Sequence, residues 1–313
     1  MADDAHDTAG DRFDGAHGRD RGPLDYLLYL LFRALLLVLT AAPEWAVARL
    51  IDGLSLLASR VDRRHSLAAR DFLRTARPEL EGAELDAAVV EAYRHFFRVI
   101  VESQRLMARV PRERMLERFD YHLAPGTREV LERDGGVIYF GAHVGNWEAL
   151  TLAVQLYGAH EFHGVAKPVK NYYISRFVLE QRLARGVRML PRRGAMVEAP
   201  GILKGGGGLA VLLDQRARVK PVLAPFFGRT ARCDRTAGVL VRRLRVPLVP
   251  MVCYRTERPL HFRVEFGPVI LPEELAGKSP EEVATRINAE LERMIRAAPE
   301  QYFWLHDRFR DAP

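Results

Sequence analysis

Cysteine is scarce. Cys233 and Cys253 are the only two in 313 residues, too few for a disulfide framework. Neither lies in a Cys-x-x-Cys pair, and no His or Cys cluster has zinc spacing, which removes the zinc modules. Two thiols without partners fit a reducing compartment. No Gly-x-Ser-x-Gly elbow is present, so a serine nucleophile of the α/β-hydrolase kind is excluded. The glycine run 205–208 follows Lys204 but lacks the Lys-Ser/Thr of a phosphate loop. It reads as a turn between a helix and a strand. No internal repeat is visible, and no recognised nucleic-acid motif appears.

What is abundant is basic charge and apolar surface. Lys and Arg number 47 against 40 Asp and Glu, a formal charge of +7. That excess suits an acidic partner: anionic lipid, an acidic carrier protein or nucleic acid. With 48% hydrophobic residues the chain can bury a full core. Residues 1–22 are polar and nearly free of aliphatic side chains, and read as a disordered tail. Residues 24–42, LDYLLYLLFRALLLVLTAA, are close to the roughly 20 apolar residues needed to cross a bilayer. Arg33 in mid-segment allows either a span or a helix tilted in the interface, with the guanidinium reaching headgroups. A buried core helix is the plain alternative. Arg19 and Arg21 before the segment favour a cytoplasmic tail.

Periodicity predicts helices over 43–59, 64–76 and 84–109, the last ended by Pro111. After Gly126 short apolar runs alternate with helical stretches. Strands are predicted at 137–142, 162–166, 187–190, 209–213, 248–254 and 262–266. Helices are predicted at 146–157, 173–184, 195–204, 235–244 and 279–297. This predicts an α/β fold, a mixed central sheet with helices on both faces over 121–313. It is preceded by an N-terminal helical region, 23–120, that carries the membrane anchor 24–42. Residues 23–313 are expected to form one unit.

The turn after the first of these strands, VIYFGAHVGNWEAL, concentrates chemistry. His143 falls at the carboxyl end of a buried strand, where open α/β sheets place ligand crevices. Gly145 allows a sharp turn, Asn146 can cap the next helix, and Glu148 falls in its first turn. From there Glu148 and His143 can meet. A neutral imidazole takes a proton from an attacking alcohol, and a carboxylate on its other nitrogen fixes the tautomer. The plain readings are a helix-dipole role for Glu148 and a satisfied polar role for His143. Lys167, Lys170, Arg192 and Arg193 suit phosphates, or else form a solvated basic rim. Asp214 and Gln215 end an apolar strand at the same sheet edge, placed to orient an acceptor hydroxyl, hold Arg side chains or serve as a cap.

The segment H-V-G-N-W-E resembles the H-x-x-x-x-D/E motif of glycerolipid acyltransferases. Its local form is similar to that of the lipid A biosynthesis (lauroyl/myristoyl) acyltransferase family. Five further blocks resemble that family in order. They are Ala166-Lys167-Pro168-Val169-Lys170-Asn171, Leu190-Pro191-Arg192-Arg193-Gly194-Ala195, Leu213-Asp214-Gln215 with Pro225-Phe226-Phe227-Gly228-Arg229, the stretch 246–252, and the stretch 298–306. The resemblance covers roughly residues 24–310. It implies a glycerolipid-acyltransferase-like fold and transfer of an acyl group from acyl carrier protein or coenzyme A to a hydroxyl of a glycolipid, a lipid A precursor first. His143 is then the base and Glu148 its partner, with Lys167, Asn171, Arg192, Arg193, Asp214, Gln215 and Arg229 as substrate-binding residues, Asn171 being equally a candidate helix cap. No covalent acyl-enzyme, cofactor, metal or nucleic acid is expected. The implied location is the cytoplasmic face of the inner membrane, in contact with membrane lipid. Lys167 stands where relatives carry Arg, and Arg216 where a second Asp is common, which leaves a phosphatidylinositol mannoside or a lysophospholipid open as acceptor. Two readings from other classes are a basic membrane- or nucleic-acid-binding protein without catalysis, and a metal-dependent hydrolase using His143 and Glu148.

Overall fold

Strand β2 (Val137–Gly141) is buried at every residue, as a strand covered on both faces must be. It sits at the centre of a seven-stranded mixed sheet in the computed structural model, which describes residues 20–166, 168–191 and 194–312. The other six strands are β1 (Phe119–Leu123), β3 (Phe162–Ala166), β4 (Arg188–Pro191), β5 (Gly208–Leu212), β8 (Leu248–Arg255) and β9 (Phe262–Phe266). Their order is β1-β9-β8-β2-β5-β3-β4, and only the β8–β9 pair is antiparallel. β6 (Val222–Phe226) and β7 (Arg229–Cys233) form a separate antiparallel hairpin. Of the tail predicted over 1–22, residues 1–19 lie outside the described residues.

Alternate side chains along β2 enter two cores. Ile138 and Phe140 join one, Val137 and Tyr139 the other. The first core is covered by α3 (Arg63–Ala76), α8 (Ala195–Lys204), α9 (Thr236–Leu244) and α10 (Pro280–Ala297), with the β6–β7 hairpin beside them. The second is covered by α5 (Thr127–Glu132), α6 (Trp147–Tyr157) and Leu179 of α7 (Tyr172–Leu183). The long α4 (Gly82–Arg109) serves both, placing Leu85, Val89 and Tyr93 in the first and Leu106 in the second. Helices thus lie on both faces of a mixed sheet, as the alternating pattern predicts.

Helix ends follow local chemistry. Ser279 accepts the Glu282 N–H at 3.2 Å while Glu282 accepts the Ser279 N–H at 2.7 Å, a capping box before Pro280 that starts α10. Before these elements come α1 (Pro23–Ala41) and α2 (Glu44–Val61), broken at Ala42-Pro43. Both pack on α4. α1 buries only Leu36 and Leu39 and is long and apolar enough to cross a membrane.

Candidate active site

Between the end of β2 and the start of α6 the chain makes one sharp crossover at the carboxyl edge of the sheet. Gly145 has φ +64, and a Cβ there would lie 2.1 Å from the carbonyl oxygen of Cys253 in β8. Glycine alone lets the two backbones approach so closely. The Asn146 N–H donates to that same carbonyl at 2.7 Å. On the other side, the Gly145 N–H donates to the Gln301 carbonyl at 2.7 Å and the Phe303 N–H to the His143 carbonyl at 2.9 Å. Beneath the turn Asn146 is buried. Its Oδ1 caps α6 by accepting the Ala149 N–H at 2.9 Å and also accepts the Ser103 hydroxyl at 3.0 Å. Its Nδ2 donates to Glu102 at 3.3 Å, and Glu102 accepts the Arg255 Nε–H at 2.5 Å. The loop at this edge is therefore fixed from three sides.

His143 protrudes from this loop with its side chain 18% exposed. Its Nδ1 lies 2.8 Å from Asp214 Oδ1, and its backbone N–H donates to Oδ2 at 3.0 Å. The Tyr302 hydroxyl donates to Oδ2 at 3.1 Å. Strand pairing explains the meeting. β2 and β5 are parallel neighbours with Gly141 opposite Leu212, so His143 and Asp214 both lie two residues further on. Burial alone raises the Asp214 pKa, but the His143 field and its two hydrogen bonds outweigh it and bring the carboxyl down to about 2. An ionised carboxylate accepts only, so Nδ1 carries the proton, and in the neutral ring Nε2 holds the lone pair. That lone pair faces the Gln215 amide, with 3.4 Å between the two nitrogens. Burial and the Asp214 charge push the Tyr302 hydroxyl well up, which keeps it a donor. Trp147 and Phe303 flank the imidazole at 5.3 and 6.1 Å between ring centres.

Glu148 takes a different partner from the one its spacing predicts. Its Oε2 lies 2.6 Å from a terminal nitrogen of Arg182 on α7. Both ring nitrogens of His143 already face Asp214 and Gln215. The first turn of α6 points the Glu148 carboxylate across to α7, where a guanidinium binds an anion more strongly than a neutral ring does. Beside the Glu148–Arg182 pair an apolar cavity of ≈ 50 Å³ opens between α4, α6 and α7, lined by Leu106, Met107, Leu152, Val178 and Val187. It has room for a few water molecules in this form.

A family model described as bacterial lipid A biosynthesis acyltransferase matches residues 20–311. The chain belongs to that family. It is similar to the lipid A biosynthesis lauroyltransferase of Escherichia coli (strain K12), 26% identical over 296 residues, which cover 92% of this chain and 93% of that protein. The protein is thus an acyltransferase of the lipid A biosynthesis family, which implies an acyl donor and a lipid acceptor.

In this acyltransferase the remaining predicted residues fall in four groups. Asp214 and Gln215 meet His143 directly. Asn171 caps α7, accepting the Ile174 N–H at 3.0 Å, and its Nδ2 donates to the Asp25 carbonyl of α1 at 2.8 Å. Arg229 pairs with Asp71 of α3 at 2.8 Å and covers the Phe309 ring, so its engagement is with the first core's rim. Lys167, Arg192 and Arg193 lie outside the described residues.

Three contributors escaped sequence reasoning. Arg182 has no motif of its own. Tyr302 lies in the 298–306 block, but nothing local ties it to Asp214. Arg308 is 1% exposed. It donates to the carbonyls of Gln215 at 3.1 Å and Arg232 at 2.8 Å, and to the Cys233 sulfur at 3.2 Å. No carboxylate pairs with it among the described residues, so the backbone carbonyls behind Gln215 carry its charge. His306 accepts the Arg216 N–H at 2.9 Å, and burial holds its pKa down at about 4.

Proposed function

We propose that this acyltransferase moves a fatty acyl group from an acyl thioester, on acyl carrier protein or coenzyme A, to a hydroxyl of a lipid A precursor at the cytoplasmic face of the inner membrane. His143 Nε2 is the general base. It takes the hydroxyl proton as the alkoxide oxygen attacks the thioester carbonyl. The tetrahedral intermediate then expels the thiolate, and the imidazolium returns the proton to sulfur. Asp214 holds the imidazole in the base-competent tautomer and stabilises the cation that forms. The acceptor hydroxyl takes the place of the Gln215 amide at Nε2.

Glu148 retains a role beside the base rather than on its second nitrogen. It holds Arg182 near the crevice, with that guanidinium's other N–H groups turned to the anionic headgroup of the acceptor. Lys167, Arg192 and Arg193, where the family blocks place basic residues, complete the phosphate contacts. The apolar lining between α4, α6 and α7 suits the donor's hydrocarbon tail once α7 yields. On this reading 121–313 is a glycerolipid-acyltransferase-like core, and 23–120 is its membrane-attaching helical region. Neither a cofactor nor a metal takes part.

The observation that carries the proposal is the Nδ1–Asp214 hydrogen bond at 2.8 Å, which leaves Nε2 facing only the long Gln215 amide contact at the carboxyl edge of the sheet. Labelled acyl thioester and a lipid A precursor, incubated with purified protein, test it. Acylated product is expected with the wild type and not with His143→Ala. Equal product from both proteins rejects the base.

A further inference from the structure

Helix α1 is bound to the rest of the protein along its whole length. At its start, Asn171 Nδ2 donates to the Asp25 carbonyl at 2.8 Å and the Tyr173 hydroxyl to the Arg21 carbonyl at 3.2 Å. In the middle, Tyr26 and Tyr29 pack on Tyr173 of α7, and Phe32 on Phe177. Arg33 does not face away from the protein: it donates to the Tyr29 hydroxyl at 2.8 Å and lies 4.3 Å over the Phe177 ring. At the end, Arg105 donates to the Leu39 and Ala42 carbonyls at 2.8 and 2.5 Å, and Arg109 to the Thr40 carbonyl at 2.6 Å. These bonds satisfy carbonyls that a helix end leaves open.

A helix of 19 residues is about 28 Å long, nearly the thickness of the hydrocarbon layer. Were α1 to cross, α7 would cross beside it. α7 carries the Arg176–Glu180 ion pair, in which each side chain is 59% exposed. Bringing that pair into hydrocarbon is costly, and its mutual attraction, with the Tyr172 hydroxyl bond, offsets only part of the cost. The outward faces tell the other half. α1 exposes Leu27, Leu31, Leu35 and Val38, while α2, packed on the same α4, exposes Trp45, Leu50, Leu57 and Val61. A helix that spans alone does not account for a second apolar face on its neighbour. Exposed Arg49, Arg60, Arg63 and Arg64 lie among the α2–α3 residues and form no ion pair among the described residues.

The geometry points to an in-plane docking face for an anionic lipid bilayer, built by α1 and α2 together, with both ends of α1 on the side of the catalytic core. Apolar side chains enter the acyl boundary and the arginines meet headgroups. This rests on the membrane association given under Proposed function and replaces a span by a flat attachment. It brings α7, with Arg182, to the level of the headgroups, where a lipid acceptor arrives.

Two measurements decide it. Cys233 and Cys253 are buried, so an introduced thiol is the one that labels. Asp20→Cys and Arg60→Cys of the full chain, in inside-out inner-membrane vesicles, are treated with a membrane-impermeant maleimide. Equal labelling of both before detergent is expected. Protection of residue 20 until detergent is added, with residue 60 labelled, shows a span and overturns the inference while leaving membrane association intact. Separately, Leu57→Glu is expected to weaken partition of purified protein into phosphatidylglycerol–phosphatidylethanolamine vesicles by roughly ten-fold, the loss of one buried leucine. Unchanged partition overturns the shared face. A wild-type chain that never sediments with either vesicle overturns membrane association itself.

Discussion

Replacing Asp214 by Asn tests the site most sharply, because the amide keeps the carboxylate's shape and removes its charge. Asp214 accepts three hydrogen bonds, from His143 Nδ1–H at 2.8 Å, the His143 backbone N–H at 3.0 Å and the Tyr302 hydroxyl at 3.1 Å. An amide offers one acceptor atom and one donor atom. With its oxygen toward Nδ1, its NH2 faces the backbone N–H, and a buried donor is left unmatched at about 1–3 kcal/mol. With its NH2 toward Nδ1, the ring must move its proton to Nε2 and the base is lost. Either way the support for the imidazolium goes. General-base help is worth about 10² to 10⁴ in rate, or ~3–5 kcal/mol of barrier. We expect Asp214→Asn to cut single-turnover acyl transfer by at least about 10². Urea denaturation of the same sample should still show a cooperative fold. The His143→Ala/Asp214→Asn double variant should be no slower than His143→Ala, since the two act as one unit. Glu148→Gln is the matched comparison. It breaks a partly exposed pair and should cost under about 1 kcal/mol of stability. If folded Asp214→Asn stays within ten-fold of wild type while Glu148→Gln shifts the pH–rate profile, the orienting carboxylate has been misassigned.

Acid should destabilise the protein in a defined window. Burial holds His306 at about 4, so below pH 6.5 the unfolded chain binds the proton that the folded one refuses. Stability is full above pH 6.5 and falls by roughly 3 kcal/mol as pH drops to 4, and thermal melts of His306→Gln should show a flatter slope. Asp214 acts lower: its contribution is full above the ordinary carboxylate range and is lost as pH falls toward 2, a fall that Asp214→Asn should lack. Gly145→Ala should cost about 1–2 kcal/mol from its positive φ alone. The displaced Cys253 contact should add to that, read as a lower urea midpoint with lost activity. Arg308→Met strips two backbone carbonyls of a charged donor and should destabilise by on the order of 3 kcal/mol. Arg308→Lys should recover stability in part, and a denaturation curve for Arg308→Met matching wild type sinks the reading.

Helices and central strands were legible because periodicity and length agree there. The predicted strands 162–166 and 262–266 are β3 and β9, and the predicted anchor 24–42 differs from α1 by one residue at each end. β1 was not, since FDYHL buries fully only Phe119 and reads as too polar for a strand. The β6–β7 hairpin was hidden by Pro225 inside a strand and by Phe227 at φ +51, a turn position where Asn or Gly is the usual signal. Within the site, His143 could be found from its strand end. Its carboxylate could not, because local spacing offers Glu148 five residues away, whereas Asp214 lies 71 residues on. Only the adjacency of β2 and β5 brings it there, and sequence periodicity does not order strands in a sheet.

The bridge between Val144 and Tyr302 sets a timetable. During synthesis α1 leaves the ribosome early, long before residues 301–303 exist. On the proposed membrane attachment, a nascent chain settles on lipid while its imidazole still lacks the backbone clamp and the tyrosine that meets Asp214. On the proposed role of His143, competence comes last, when the late segment locks the turn, and an unfinished chain transfers no acyl group.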